Sequence, residues 1–183
     1  YVVKEVSRIN DLITEFLDFA KPSAPIRATQ SARTLVDELA GFCEPELASH
    51  NIDLHIADHA PGATIYADAK QLKQVGLNLI VNAIDAMPDG GRLTLSIANA
   101  GKFTIIGVAD TGQGIEADML ERIFTPFVTT KASGTGLGLA KVFSVMESHN
   151  GRVECVSEKD AGATFSLYIP ANGEDFDESD DDA

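Results

Sequence analysis

Between positions 78 and 139 the sequence carries four short motifs: NLIVNAID at 78–85, DTGQGI at 110–115, FTPFVTTK at 124–131 and GTGLGL at 134–139. These motifs contain most of the unusual residues of the chain, namely carboxamides where a helix surface would usually carry charges, and closely spaced glycines. Glycines allow a backbone to approach a ligand, and carboxamides can bind both cations and phosphate oxygens. The four motifs therefore indicate one site for a phosphate-bearing ligand.

The first motif predicts a helix with a polar stripe. Asn78, Asn82 and Asp85 lie at positions i, i+4 and i+7, which share one helix face. A carboxamide oxygen is a suitable Mg²⁺ ligand, and its NH₂ group can donate to phosphate. An Asn pair on an exposed helix can also be merely solvated, so the pair alone does not establish a site for Mg²⁺ or phosphate. Apolar residues that a core would cover lie on another arc: Leu72, Val75, Leu79, Ala83 and Ala86.

The second motif follows a run of strand-forming residues at 103–108 and so lies at a strand end. Gly112 and Gly114 let the backbone pass close to a planar or charged ligand. An ionised Asp110 beside such a turn is only an acceptor, which suits the exocyclic amine of adenine. Taken alone, this motif is also compatible with an ordinary turn.

The last two motifs predict a mobile lid. A polar segment, residues 129–133, follows an expected hydrophobic anchor at Phe124 and Phe127 and leads into the glycines of 134–138. Backbone N–H groups at the start of the next helix, near Leu137, would form an anion site. No Gly-Lys-Ser/Thr follows, so this is not a Walker loop, and the dinucleotide fingerprint is also absent.

In this order and spacing, the motifs resemble the N box, first glycine box, F box and second glycine box of the sensor histidine kinase catalytic domain. That domain belongs to the ATPase superfamily of DNA gyrase, the large heat-shock chaperones and mismatch-repair ATPases. The resemblance runs from residue 1 to about Pro170. It implies an α+β fold: a two-layer α/β sandwich of the Bergerat type, with a mixed, mostly antiparallel sheet, helices on one face and one amphipathic helix before it.

The resemblance also implies that the site holds ATP and Mg²⁺. Asp110 would hold the adenine amine, Asn82 would bind Mg²⁺ and Lys131 would reach the γ-phosphate. Asn78 and Lys131 would be the catalytic residues; because an amide is no proton acceptor, Asn78 predicts little hydrolysis. The nucleotide contacts that the resemblance implies are Asn78, Asn82, Asp85, Asp110, Gly112, Gly114, Ile115, Phe127, Thr129, Thr130, Lys131, Gly134, Thr135, Gly136, Leu137, Gly138 and Leu139.

The domain boundaries are expected at 1–21, 22–30, 31–171 and 172–183. Residues 1–21 carry a heptad seam and are similar to the second helix of the kinase dimerisation hairpin, although such a helix could also pack on its own domain. A proline-containing linker over 22–30 precedes the ATP-binding domain. The acidic residues 172–183 predict a solvated tail, which could also bind a basic partner.

None of the four histidines has the context of the family's phosphoacceptor, which is a His followed by an acidic residue in an apolar helix. His50, His55, His59 and His149 are expected to be surface or capping residues. The acceptor is therefore expected to lie outside this chain, on a hairpin through which the full-length protein would form a homodimer.

Local patterns predict the remaining elements. A helix over 31–49 would bury Leu35, Leu39, Phe42 and Leu47, and Asp68 would cap the Asn-bearing helix. A helix over 138–150 would end at Gly151 in the left-handed conformation. Strands are expected at 52–56, 93–97, 104–108, 153–156 and 164–169.

Composition excludes several classes of function. The net charge of −14 argues against nucleic acid as a partner. No stretch approaches the roughly 20 apolar residues of a membrane span, so no membrane contact is expected within this chain. The two cysteines suit small buried thiols in a reducing compartment. A cytoplasmic location is expected, which leaves open an inner-membrane anchor in the full-length protein.

These observations favour the ATP-binding catalytic domain of a sensor histidine kinase, a protein-histidine kinase of two-component signalling. It would pass the γ-phosphate of ATP to a His for relay to an Asp on a response regulator receiver domain. Two alternatives stay open. One is an anti-sigma-type serine kinase or another ATPase of the same superfamily, and the other is a non-catalytic interaction module.

Overall fold

The computed structural model of the protein describes residues 23–129, 131 and 134–173. The expected helix over 1–21 and the acidic residues from 174 onward lie outside this part of the chain. None of the described helices combines the length and hydropathy that a bilayer crossing requires. The described elements are, in chain order, β1 (Ala28–Ser31), α1 (Ala32–Ser49), β2 (Ile52–Asp58), β3 (Thr64–Ala67), α2 (Ala69–Ala86), β4 (Gly91–Ala100), β5 (Phe103–Asp110), α3 (Ala117–Leu120), α4 (Gly138–Ser148), β6 (Arg152–Ser157) and β7 (Ala163–Pro170).

The main sheet has the strand order β2-β4-β5-β7-β6. β2 and β4 are parallel, whereas the other neighbouring pairs are antiparallel. Side chains alternate along each strand, so Leu93, Leu95 and Ile97 of β4 are buried on one face. Helices α1, α2 and α4 pack on that face and share one core with it. The structure therefore confirms the predicted α+β class, with a mixed, mostly antiparallel sheet and helices on one face.

A second, two-stranded sheet pairs β1 with β3 in antiparallel fashion. The hydroxyl of Thr104 in β5 donates to the carbonyl of Thr64 at 2.8 Å, which joins this small sheet to the main one. β3 was not predicted, because its four residues show no clear alternation. Since β1 covers residues 28–31, the last three residues of the predicted linker over 22–30 belong to the folded domain.

Helix α1 begins at the predicted place but buries a different set of residues. Ser31 is its N-cap and accepts from the Thr34 N–H at 3.4 Å. The prediction that Phe42 lies in the core is wrong, because its side chain is 66% exposed while the neighbouring Cys43 is buried. Lys73 of α2 lies over the Phe42 ring, 5.9 Å from its centroid. Neither cysteine of the chain forms a disulfide.

Helix α2 is fixed at its start and along its buried side. The Asp68 carboxylate accepts from the Lys70 and Gln71 N–H groups at 3.0 and 3.1 Å, which confirms the predicted cap. A side chain at Gly76 would bring its Cβ within 2.5 Å of Leu39 in α1. Glycine at this position therefore lets α1 pack directly on the backbone of α2.

Helices α1 and α4 both end in the sequence Ser-His-Asn with the same geometry. His50 and His149 are the C-caps, each with φ −99° and ψ 10°. Asn51 and Asn150 follow with a left-handed φ of 54°. The prediction that Gly151 adopts this conformation is therefore wrong by one residue: asparagine tolerates it and comes first. Gly151 is needed for space instead, because a Cβ there would lie 2.4 Å from the Tyr168 carbonyl oxygen.

His149 is a capping residue, as one of the two expected roles has it, but unlike His50 it is fully buried and does not lie at the surface. Its Nδ1 lies 2.8 Å from the Val145 carbonyl oxygen, and its Nε2 accepts from the Asp68 backbone N–H at 3.0 Å. The ring must therefore be neutral, with its proton on Nδ1. Burial lowers the pKa of His149, and the charge of Arg27 adds to this effect. The ring thus joins the end of α4 to the start of α2 only while it is uncharged.

Replacing His149 with Ala tests this contact. We expect a loss of about 1–3 kcal/mol in the free energy of unfolding at pH 8, because the Asp68 N–H loses its acceptor. The folded-state pKa lies below the ordinary 6.5, so the wild type should lose stability as the pH falls from about 6.5 through that lower value. His149→Ala should lack this step. Urea unfolding followed by circular dichroism at several pH values measures both quantities.

His50→Ala is the matched control. His50 lies at the equivalent place in α1 and contacts the Glu46 carbonyl oxygen at 2.9 Å, but among the described residues its ring bonds to no other helix. We expect this variant to keep the acid-induced step of the wild type. If His149→Ala kept the same step, the step would have another origin.

Candidate functional site

A cavity of about 810 Å³ opens between α2, the loop after β5, the segment leading into α4 and the turn between β6 and β7. The structure brings most of the sequence-predicted site residues to its walls, but Gly112 and Phe127 do not line it, and Thr130 lies outside the described residues. The predicted residues that line the cavity are Asn78, Asn82, Asp85, Asp110, Gly114, Ile115, Thr129, Lys131, Gly134, Thr135, Gly136, Leu137, Gly138 and Leu139.

The polar stripe of α2 forms one wall. Asn78 accepts from Gln74 Nε2 at 3.1 Å, and its own Nδ2 donates to the Gly138 carbonyl oxygen at 3.3 Å. The Lys131 ammonium lies 2.9 Å from Asn82 Oδ1 and 2.6 Å from Asp85 Oδ2. The three predicted residues of α2 therefore face the segment that carries the glycines.

This wall can take part in a magnesium site without a full protein cage. No group of three or more His, Cys, Asp or Glu side chains in the described residues could hold a metal ion. Mg²⁺ in nucleotide sites needs only one or two protein ligands, because phosphate and water oxygens complete its shell. The Asn82 Oδ1 atom, with Asp85 one helical turn away, fits that requirement.

Asp110 lies at the opposite end of the cavity, where β5 ends. Its Oδ1 accepts from the backbone N–H groups of Gly112 at 2.8 Å and Ala163 at 3.3 Å. Burial raises the pKa of this carboxyl, and the two N–H donors oppose the rise in part. Both donors bond to Oδ1, which makes Oδ2 the oxygen suited to accept from a ligand. Apolar side chains from several elements line the same cavity: Ala86, Met119, Ile123, Ala163 and Phe165.

The two glycines after Asp110 are needed for close packing of the backbone. A Cβ at Gly112 would lie 2.4 Å from the carbonyl oxygen of Ala86, at the end of α2. Gly114 has φ 66°, and a Cβ there would lie 2.0 Å from the Glu158 carbonyl oxygen in the β6–β7 turn. Gly112 thus faces α2 instead of the cavity, and the loop is held between that helix and the turn.

The segment before α4 leaves space at the start of that helix. Gly136 has φ 69°, and its carbonyl accepts from the Phe127 N–H at 3.0 Å. A Cβ at Gly138 would meet no described atom within 4 Å, and no described side chain caps α4 at Leu137. Uncapped N–H groups at the start of an 11-residue helix, beside an open glycine, are suited to bind an anion.

The two phenylalanines of the third motif have different positions. Phe124 packs against the core, and its ring centroid lies 5.8 Å from that of Phe143 in α4. Phe127 is 63% exposed and has φ 66°, which is unusual for a bulky residue. Only Phe124 is therefore the hydrophobic anchor that the sequence predicted for both.

The β6–β7 turn forms a wall that the sequence did not predict. Lys159 and Asp160 line the cavity, and Lys159 Nζ lies 2.7 Å from Glu116 Oε1 across it. The Asp160 N–H donates to the Gln113 carbonyl oxygen at 2.7 Å. These residues lie more than 40 positions after the second motif, and only the strand order β5-β7-β6 places them beside it. No local pattern could have identified them.

The fold and the cavity together define an ATP-binding domain, with a helix of carboxamides on one side and a glycine-rich segment on the other. The family described as "Histidine kinase-, DNA gyrase B-, and HSP90-like ATPase" matches residues 67–173, and the chain belongs to this family. The match covers all four motifs.

Similar proteins are sensor histidine kinases. The chain is 37% identical over 171 residues to the sensor histidine kinase ZraS of Escherichia coli K12, a match that covers 93% of the chain and 37% of ZraS. The full-length ShkA structure in complex with AMPPNP matches with a TM-score of 0.82 and 28% identity, over 94% of this chain and 38% of that one. The histidine kinase ThkA in complex with the response regulator protein TrrA matches with a TM-score of 0.79 and 25% identity, over 93% of this chain and 49% of that one. The chain thus spans little more than a third of the length of ZraS.

The close approach at Gly114 gives a stability prediction. Gly114→Ala should destabilise the protein strongly for two reasons. The new Cβ would clash with the Glu158 carbonyl oxygen, and alanine disfavours the left-handed backbone conformation at this position. Gly101→Ala is the matched control: it has φ 57°, but its Cβ would meet no described atom within 4 Å. We expect the control to lose only about 1–2 kcal/mol, the cost of the backbone conformation. Urea unfolding of the two variants measures the difference, and equal losses would contradict the packing described for the loop.

Proposed function

We propose that this chain binds Mg-ATP in the cavity and transfers the γ-phosphate to a His on a helical hairpin supplied from outside residues 23–173. The phosphoryl group would then pass to an Asp on a response regulator receiver domain. The observation that carries the proposal is the placement of two carboxamides, a lysine and an open helix start at one end of a cavity that has the half-buried carboxylate of Asp110 at the other.

The end of the cavity at Asp110 suits adenine. Asp110 Oδ2 is the acceptor for the exocyclic amine, and the apolar residues Ala86, Ile123 and Phe165 offer surfaces for a flat ring. A carboxylate at this place accepts hydrogen bonds and donates none, so it favours a base with an amine over one with a carbonyl oxygen at that position. The short loop held against α2 and the β6–β7 turn keeps the acceptor in place.

The open end suits a triphosphate. The uncapped N–H groups at the start of α4 and the space above Gly138 accommodate phosphate oxygens. When bound beside Asn82, Mg²⁺ would neutralise charge on the phosphates as the phosphoryl group leaves. Lys131 contacts Asn82 and Asp85, and we expect it to leave them when it binds the γ-phosphate. The exposed Lys131–Asp85 ion pair contributes little to stability, so breaking it costs little free energy.

Asn78 supports transfer over hydrolysis. It lines the cavity one helical turn before Asn82, and its side chain is an amide that cannot take a proton from water. A neutral His nitrogen needs no general base, so alignment and charge stabilisation can drive its attack on phosphorus. The chain should therefore hold ATP with little turnover until the acceptor imidazole arrives.

Two similar structures support these partners. ShkA was solved with AMPPNP, and ThkA with the response regulator protein TrrA. For this chain we propose the same kinds of partner, namely an adenine nucleotide and a receiver domain, with homodimerisation through the hairpin in the full-length protein. The placement of Asn82, Asp110 and Lys131 around one cavity argues against a purely structural module.

Nucleotide titrations test the two ends of the site separately. Asp110→Asn should weaken ATP binding about tenfold to hundredfold, because the amine of adenine loses its acceptor. Asn82→Ala should weaken Mg-ATP binding by at least about tenfold but change little when the metal is chelated. Isothermal titration with and without Mg²⁺ measures both. Asp53→Asn and Asn99→Ala, at exposed positions of β2 and β4, are the controls and should bind as the wild type does.

Phosphate release and transfer test the role of Asn78. The wild type should release little phosphate from Mg-ATP alone and should label a separately purified hairpin that carries an acceptor His. Asn78→Glu should release phosphate at least about tenfold faster, because a carboxylate can activate water. Gln74→Glu, one turn earlier on the same wall, should not. Rapid release by the wild type, or labelling of a hairpin whose His is replaced, would contradict the proposal.

A further inference from the structure

Ser157, the last residue of β6, connects two segments around the base end of the cavity. Its hydroxyl donates to the Gly162 carbonyl oxygen at 2.7 Å. Its oxygen accepts from the Ile115 backbone N–H at 2.8 Å. A serine hydroxyl has one proton, so the direction of both bonds is fixed. This side chain is not part of the four motifs, and its role does not follow from them.

The peptide group that receives the Ser157 proton also reaches Asp110. The carbonyl of Gly162 and the N–H of Ala163 belong to one planar peptide, and that N–H donates to Asp110 Oδ1 at 3.3 Å. A continuous chain of hydrogen bonds therefore runs from the Ile115 N–H through the Ser157 hydroxyl and this peptide to the Asp110 carboxylate. Each donor in such a series polarises the next, so that removing one weakens the others.

Gly162 packs so closely against β5 that the position of this peptide is restricted. It has φ 85°, and a Cβ there would lie 2.0 Å from the Asp110 carbonyl oxygen. The backbones of β5 and the β6–β7 turn are thus in direct contact beside the carboxylate. Two side chains bond to the peptide at this contact, the Ser157 hydroxyl at its carbonyl and the Asp110 carboxylate at its N–H.

We propose that Ser157 is a positioning residue for the nucleotide base: its hydroxyl orients the Gly162–Ala163 peptide and, through that peptide, the carboxylate of Asp110. The proposal rests on the assignment of Asp110 to the base, given under the proposed function. The Ser157 hydroxyl, which does not line the cavity, thus controls the direction of the Asp110 carboxylate. Loss of the hydroxyl should therefore affect recognition of the base, while the phosphate end of the site keeps its geometry.

The charge state of Asp110 reports on this series without any nucleotide. The Ala163 N–H favours the ionised carboxylate, against the burial that raises its pKa. Loosening that bond should raise the pKa of Asp110 further. Burial and then the charge of Asp110 raise the pKa of the Cys155 thiol on β6. Further titratable groups line the same cavity, among them Asp85 on α2, Glu116 after the glycine loop, and Lys159 and Asp160 in the β6–β7 turn.

Three variants of the 183-residue chain test the proposal: Ser157→Ala, Ser157→Thr and the control Ser49→Ala. Threonine keeps the hydroxyl and suits a strand end. Ser49 also donates to a backbone carbonyl, that of Glu46 at the end of α1, but lies away from the cavity. Affinities for Mg-ATP and for magnesium tripolyphosphate, which has no base, are measured by titration calorimetry. The pKa of Asp110 is measured from its carboxyl ¹³C shift in nucleotide-free protein.

We expect Ser157→Ala to bind Mg-ATP about fivefold more weakly, to bind tripolyphosphate as the wild type does, and to titrate Asp110 at higher pH. Ser157→Thr and Ser49→Ala should match the wild type in all three. Equal weakening of both ligands, or an unchanged Asp110 titration, would overturn the proposal. If the wild type bound no ATP, the proposed function would fail, but the Asp110 titration would still decide whether Ser157 orients the carboxylate.

Discussion

The packing of α2 between the sheet and the cavity is the constraint on which the site depends. One side of this helix is buried in the core, where Leu72, Val75 and Leu79 are almost inaccessible to solvent. The other side carries Asn78, Asn82 and Asp85 into the cavity. Because side chains on a helix cannot change faces independently, the core contacts set the direction of the polar stripe. The cap at Asp68 and the direct contact of α1 at Gly76 fix the helix along its axis.

The two ends of the cavity are built in different ways. At the end proposed for the base, backbone segments touch without side chains between them: Gly112 faces the Ala86 carbonyl, Gly114 that of Glu158, and Gly162 that of Asp110. Such contacts cannot change one at a time, so we expect this end of the cavity to be rigid. At the phosphate end, Gly138 borders open space and Lys131 is held by an exposed ion pair. That end can rearrange at small cost, as a site for a long, charged group requires.

Much of this architecture could be predicted from local patterns, because local patterns cause it. The spacing of apolar residues predicted α2, and the Asp68 cap follows from the preference of that residue for helix starts. Predictions failed where tertiary contacts decide between equal local options. Phe42 and Cys43 are both apolar, and only packing shows that Cys43 is the buried one. His50 and His149 share one local sequence, yet Asp68 lies beside only the second. The β6–β7 wall depends on strand order, which no single motif encodes.

The contact of Lys131 with Asn82 and Asp85 shows how charge is matched at the phosphate end. Asp85 carries a negative charge on a wall where a negatively charged ligand is proposed to bind, which by itself would oppose binding. The Lys131 ammonium, 2.6 Å from Asp85 Oδ2, balances that charge. If Lys131 turns to a phosphate, the oxygens of Asn82 and Asp85 need another cation, and a metal ion that arrives with the nucleotide meets this need. Under the proposed function, Mg²⁺ would take the place of the lysine beside Asn82 and Asp85 and would balance the charge of Asp85 in its stead.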